Sequence, residues 1–264
     1  MPVFLKTEDE IALMRRAGDL VGQTLGELSH HIRPGVTTRQ LDTIAETFIR
    51  DHGATPSFKH YPNPKGAPFP ASICTSVNDT IVHGIPSDDD VLHEGDIISI
   101  DCGACLDGFH GDSCYTFAVG EVSDATHQLL TTTLQALHKG ISVAVAGGHL
   151  SDIGHAIQHC CEPKGYSIVR ELTGHGIGRQ MHEAPLVPNY GAQGQGIMLK
   201  EGMCIAIDPM IVEGQRYISI LPDYWTVRTR DGRRAAHYEH TIAIRRGQPE
   251  VLTTFDYIAP TQQC

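Results

Sequence analysis

The sequence predicts an α+β fold in which one helix–strand unit occurs twice, and three observations carry that prediction. "VLHEGDIISID" (91–101) and "MLKEGMCIAID" (198–208) share Leu, Glu-Gly, Ile and Ile-Asp at matching positions, and both runs end on aspartate. "GVTTRQLDTIAETFIRDHG" (35–53) and "GGHLSDIGHAIQHCCEPKG" (147–165) begin and end on matching glycines. The helical member precedes the strand member in both halves, as expected of a duplicated unit packed about a pseudo-twofold axis. With 264 residues, 41% hydrophobic and 19% charged, the chain can bury the core of one such domain, expected to span 1–264.

Residues Thr7 to Leu28 place Ile11, Met14, Ala17, Leu20, Val21, Leu25 and Leu28 on one stripe, the period of an amphipathic helix. A second helix is expected from Thr38 to Asp51, introduced by "RPGVTT" and closed by Gly53. "HYPNPKGAPFPAS" (60–72) is too rich in proline for regular structure and reads as a surface loop. Short β-type runs alternate with turns from Ile73 to Gly120. Residues 124–141 and 151–162 read as helices, and the C-terminal third returns to strands.

A formal net charge of −11 without a block of Lys or Arg argues against nucleic acid or anionic lipid as a partner. No apolar run has signal-peptide or bilayer-spanning length, so a cytoplasmic protein without a membrane partner is expected. The eight cysteines include the adjacent Cys160 and Cys161 and the terminal Cys264, a pattern of free thiols rather than a disulfide framework. Sixteen histidines favour metal or proton chemistry without locating it.

The location comes from "IDCGACLDGFHGDSC" (100–114). Asp107-Gly108 is a two-residue hairpin turn in which both positions need positive φ. If Leu106 pairs with Phe109, then Gly103 pairs with Asp112, and Asp101 shares the face of Gly103. Asp101 and Asp112 become diagonal neighbours roughly 7–8 Å apart at the backbone, and two carboxylates that close need a cation or a shared proton. The duplication makes Asp208 the mirror of Asp101. "HYEHTIAI" (237–244) adds Glu239 on an alternating strand, and "LTGHGIGRQMHEAP" (172–185) offers His175 between glycines and His182 beyond it. A single strand-end Asp is usually solvated, and a lone His is usually packed or exposed. Convergence of four carboxylates and one imidazole instead suits two divalent ions sharing bridging oxygens.

Three other signals are weaker. Cys102-x-x-Cys105 with Cys114 lacks a second Cys-x-x-Cys, and the hairpin turns Cys102 away from Cys105. His155 and His159 lack the His-Glu-x-x-His pattern, since Ala156 follows His155. "GAQGQG" (191–196) has no preceding strand and reads as a loop.

"DGFHGD", "GHGIGRQMHE", "IDPM" and "YEHT", in this order and spacing, resemble the type I methionine aminopeptidases over nearly the whole chain. The resemblance implies the pita-bread α+β fold of that metallopeptidase family, with the duplication inferred above. It implies metal ligands Asp101, Asp112, His175, Asp208 and Glu239 for two divalent ions (Mn, Fe, Co or Zn), with Asp112 and Glu239 bridging. His83, in "IVHGIP", and His182 are then expected to touch the substrate amine and scissile amide, with Asp208 as proton shuttle. Phe69, Cys74, Met181 and Trp225, with Tyr61 beside them, are expected to form the substrate pocket. The implied activity is removal of N-terminal methionine by hydrolysis through a metal-bridging water. The implied partners are N-termini of peptides and nascent polypeptides; ribosome association and a monomeric state are further expectations.

The chain departs from the family at three places. Asp208 stands where the family has Glu, Met181 where it usually has an aromatic residue, and the proline-rich loop before Cys74 is longer. Two rivals follow: a non-catalytic binding paralogue of the same fold, and a proline-directed peptidase.

Overall fold

The computed structural model describes residues 2–262, so Cys264 lies outside the described residues. Helix α1 (Glu8–Ser29) starts at a capping box: the Thr7 side chain accepts from the Glu10 backbone N–H, and the Glu10 carboxylate reaches back to Thr7. Its buried stripe contains every residue expected from the sequence period. Helix α2 (Thr38–Asp51) has the same box, made by Thr37 and Gln40, and ends before Gly53, whose φ is +76°. The proline-rich loop that follows carries no helix or strand after β1 (Thr55–Pro56).

Next come β2 (Ile73–Val77), β3 (Thr80–Val82), β4 (Ile97–Leu106) and β5 (Phe109–Ala118), then α3 (Asp124–Val143) and α4 (Leu150–Cys161). The remaining strands are β6 (Ser167–Ile168), β7 (Gly174–Gly176), β8 (Glu183–Val187), β9 (Cys204–Ile207) and β10 (Met210–Val212). They are followed by β11 (Ile218–Ile220), β12 (Val227–Thr229), β13 (Ala235–His237), β14 (Glu239–Ala243) and β15 (Glu250–Val251).

The hairpin expected at Asp107-Gly108 is present, with φ of +52° and +78° at the two turn residues. Leu106 pairs with Phe109, Gly103 with Asp112 and Asp101 with Cys114, the expected register. The main sheet runs β4-β5-β14-β9-β7, with β2 also paired to β4. Read outward from the β5–β14 pair it is palindromic: β4 then β2 on one side, β9 then β7 on the other. Hydrogen bonds repeat the symmetry. Gly35 N–H donates to Leu92 O at 2.8 Å and Gly147 N–H to Leu199 O at 2.9 Å, while Thr38 N–H donates to Asp90 O and Leu150 N–H to Ile197 O, both at 2.9 Å. This is the pita-bread fold, and both sequence echoes fall at equivalent places in its two halves.

Helices and sheet enclose the main core. Ile98, Ile100, Cys102 and Ala104 of β4, Tyr115 and Phe117 of β5, and Ile205 and Ile207 of β9 pack against residues of all four helices. Alternation along each strand then turns Asp101, Asp112 and Glu239 to the other face. Among the described residues no helix is long and apolar enough to cross a membrane.

One contact ties a helix to the wall of the future site. Asp42 of α2 is buried, and its Oδ1 accepts from the backbone N–H groups of Ser72 at 2.7 Å and Ile73 at 3.1 Å, pinning the start of β2. Asp42→Ala would leave both donors buried without an acceptor, each worth about 1–3 kcal/mol. Urea unfolding should show a loss of about 2 kcal/mol or more for Asp42→Ala, and a smaller loss for Asp42→Asn, which keeps one carbonyl acceptor.

Candidate metal centre

Asp101 comes from β4, Asp112 from β5, Glu239 from β14, and Asp208 from the residue just past β9. All four are buried, and Asp101 Oδ1, Asp112 Oδ1, Asp208 Oδ1 and Glu239 Oε1 have no hydrogen-bond partner. Burial pushes the Glu239 carboxyl well above the usual carboxylate range, and the charges of Asp112, Asp208 and Asp101 push it further. Burial does the same to Asp101, reinforced by Asp112 and Asp208. Four such groups facing one another require positive charge among them.

His175 is held by a strand that tolerates no side chain on either side of it. A Cβ at Gly174 would lie 2.3 Å from Ala206 O, and one at Gly176 would lie 2.2 Å from Ala184 O. His175 Nδ1 donates to Gly176 O at 2.9 Å, which leaves Nε2 as the ring nitrogen facing the carboxylates. Nε2 lies 3.4 Å from Asp112 Oδ2 and 4.0 Å from Glu239 Oε1. Burial works to lower the pKa of this ring, but the hydrogen bond and charge of Asp112 outweigh it and the net shift is upward.

His237, at the end of β13, is a member of the site that sequence reasoning missed. Its Nε2 contacts Asp208 Oδ1 and lies 3.9 Å from Glu239 Oε2. Two donor clusters result, Asp112–His175–Glu239 and Asp208–His237–Glu239, with the donor atoms of each within 4.8 Å of one another. They share Glu239, one carboxylate oxygen turned to each. Asp101 adjoins Asp112 but belongs to neither cluster. The available signal was His237-x-Glu239, two residues apart in a β-type run.

The donor set is oxygen and imidazole, which suits a borderline divalent metal. Thiols do not compete. Cys74 pairs with Asp101 across β2–β4, and Cys102 and Cys114 are also buried; burial and the adjacent carboxylates hold all three thiols protonated. Cys102 packs into the helix-side core and Cys105 is a free thiol, so the Cys-x-x-Cys spacing builds no site.

The clusters form the floor of a cavity of about 480 Å³ whose walls include Phe58, Tyr61, Phe69, Cys74, His83, His182 and Trp225. Trp225 stands edge-on to Phe69 at 5.2 Å between ring centroids, and its Nε1–H donates to Ala67 O at 2.9 Å. Tyr61 joins the wall and meets His182 Nδ1 through its hydroxyl at 2.7 Å. Met181 does not line the cavity. It is buried behind the wall, its Cε lying with Phe58 Cε1 over Gly103, and Phe58 supplies the aromatic surface instead.

His83 has φ of +58°, a costly conformation for a non-glycine residue, and burial pushes its pKa down to about 4. His182 stands at the open rim. Desolvation against the cleft and the facing rings of His175, His83 and His110 push it down to about 3. Both rings are therefore neutral at pH 7.

Buried carboxylates and imidazoles meeting at the centre of a palindromic sheet define a metal-dependent hydrolase of the pita-bread class. Residues 12–246 match the model of metallopeptidase family M24, and the chain belongs to that family. It is 50% identical over 251 residues to the methionine aminopeptidase of Clostridium acetobutylicum, covering 95% of this chain and 98% of that protein. It is 49% identical over 251 residues to methionine aminopeptidase 1 of Bacillus subtilis, covering 95% of this chain and 99% of that one. The crystal structure of methionine aminopeptidase from Rickettsia prowazekii superposes with a TM-score of 0.92 at 42% identity, covering 96% of this chain and all (100%) of that one. The prolidase of Pyrococcus furiosus shares the fold alone, with a TM-score of 0.75 at 22% identity.

Removing one of the crowded carboxylates should separate metal-free stability from metal binding. Glu239 has a raised pKa in the folded chain, so between its ordinary value near pH 4 and the raised one the folded state binds more protons than the unfolded state. That contribution is fully present below the ordinary value and is lost as pH rises through the interval. In metal-stripped protein the Tm of Glu239→Gln should therefore gain on that of the unaltered chain as pH rises from about 4 to neutrality. Adding Mn(II) or Co(II) at neutral pH should reverse the order. A Tm difference that stays flat with pH contradicts the electrostatic account.

Proposed function

We propose that this chain is a two-metal aminopeptidase that removes methionine from the N-termini of peptides and nascent polypeptides. The observation that carries the reading is the pair of donor clusters sharing Glu239 at the floor of a partly aromatic cavity. Identity of 50% to a methionine aminopeptidase across 95% of the chain supports the substrate class. Asp101, Asp112, His175, Asp208 and Glu239 would hold the ions, and Glu239 is the acid common to both clusters. The unpartnered oxygens of the four acids fit that duty. Mn, Fe, Co and Zn all suit the set, and cellular availability decides among them.

When bound, such ions supply a water nucleophile at neutral pH and polarise the scissile carbonyl. The protein groups do the rest. The Tyr61 hydroxyl donates to His182 Nδ1, which fixes the proton on Nε2, free to donate to the scissile amide. His83, neutral at pH 7, offers a lone pair to the free substrate amine. Asp208 takes a proton from the attacking water on its carboxylate and passes it to the leaving amine. Phe58, Phe69, Cys74 and Trp225 receive the methionine side chain, and an apolar pocket of this kind separates neighbouring side chains by only about 1–3 kcal/mol per methylene. A blocked N-terminus loses the contact to His83. The reading describes one catalytic domain over 1–264, acting as a monomer on chains emerging from the ribosome in the cytoplasm, where free thiols persist.

The test is release of methionine from Met-Ala-Ser by metal-stripped protein titrated with Mn(II), Fe(II), Co(II) or Zn(II). Metal-dependent release is expected, with none from the N-acetylated peptide. His182→Ala should lower kcat/KM by about a hundredfold or more. No release by either the unaltered chain or Asp208→Glu would overturn the reading in favour of a binding paralogue.

A further inference from the structure

We propose that His237 is a sixth protein donor of the metal centre, an imidazole that makes up for the short side chain of Asp208. The proposal rests on the two-metal reading above and concerns a residue that the five ligands named there leave out. His237 is 2% exposed, and neither of its ring nitrogens has a hydrogen-bond partner. A buried imidazole with both nitrogens unsatisfied is rare unless another partner completes it.

The ring is aimed into the centre. Its Nε2 contacts Asp208 Oδ1 and lies 3.9 Å from Glu239 Oε2. On the other side of Glu239, His175 Nε2 lies 3.4 Å from Asp112 Oδ2 and 4.0 Å from Glu239 Oε1. Each oxygen of Glu239 thus faces one aspartate and one histidine, so the centre offers two equivalent nitrogen–oxygen cradles where the sequence promised one imidazole.

The backbone explains the placement. Antiparallel pairing sets Met210 of β10 opposite His237 of β13, and Met210 lies two residues past Asp208. The Asn189 amide Nδ2 donates to Asp208 O at 2.6 Å, holding the other end of that segment. Asp208 is one methylene shorter than glutamate, a reach deficit of about 1.5 Å. A ring entering from the adjacent strand fills that gap with a nitrogen donor. Imidazole also favours Fe, Co and Zn over Mg or Ca, so both cradles should take the same class of ion.

X-ray absorption on the unaltered protein loaded with two Co(II) counts imidazole nitrogens without any substitution. Two per chain, an average of one per ion, are expected. Two bound ions with a single imidazole per chain would overturn the role of His237 while leaving the two-metal reading intact. Failure to bind Co(II) would overturn both. Calorimetric titration gives the second measure: His237→Gln should weaken one of the two Co(II) sites by about tenfold or more and spare the other. Asp208→Glu should recover most of that loss in the His237→Gln background and add little in the unaltered one. An equal effect in both backgrounds would mean that the two side chains are not coupled, and the proposal would fall.

Discussion

Like charges crowded at a dry seam are the constraint on which the rest of the structure depends. Asp112 on β5 and Glu239 on β14 come from different halves of the duplicated unit, and the two strands pair at the centre of the sheet. Hydroxyls stitch the seam: Thr241 Oγ1 donates to Asp112 O at 2.9 Å and accepts from Asp112 N–H at 3.2 Å, while Ser113 Oγ donates to Glu239 O at 2.7 Å. These bonds hold the carboxylates together against their repulsion, so the chain spends stability on preorganisation. Such strain is expected where a bound cation is the missing partner.

The imidazoles around this seam have different electrostatic roles because their surroundings differ. His175 is drawn upward by Asp112 and has its tautomer fixed by a backbone carbonyl. His83 and His182 are driven downward and remain neutral. Four histidines within one cleft therefore divide into two that face carboxylates and two that face the open cavity.

Much of this was legible in the sequence. Asp107-Gly108 sets the hairpin register, and a period of two then settles which face Asp101 and Asp112 share. The Ile-Asp echo led to Asp208 because duplication preserves the position of a strand end. The glycines beside His175 mark where neighbouring backbones come within van der Waals range. His237 was hidden because the strand breaks at Tyr238: β13 pairs with β10, whereas β14 pairs with β5 and β9. No periodicity carries across that break. Phe58 escaped because it sits in an irregular segment, and Met181 was placed in the wall because sequence order cannot tell a residue lining a cavity from one packed just behind it. Helix ends shifted slightly, α4 continuing as a 3-10 turn through Lys164.

The palindromic sheet has a further consequence. The cluster of Asp112, His175 and Glu239 is complete only where the halves meet, since Asp112 belongs to the first half while His175, Asp208, His237 and Glu239 belong to the second, and the aromatic walls come from both. The centre is in effect the interface of an internal dimer whose two subunits were fused into one polypeptide. Metal affinity then reports how well the halves dock. A loop or helix substitution far from the floor, if it tilts one half against the other, will be felt as a weaker grip on metal before it is felt as a loss of fold.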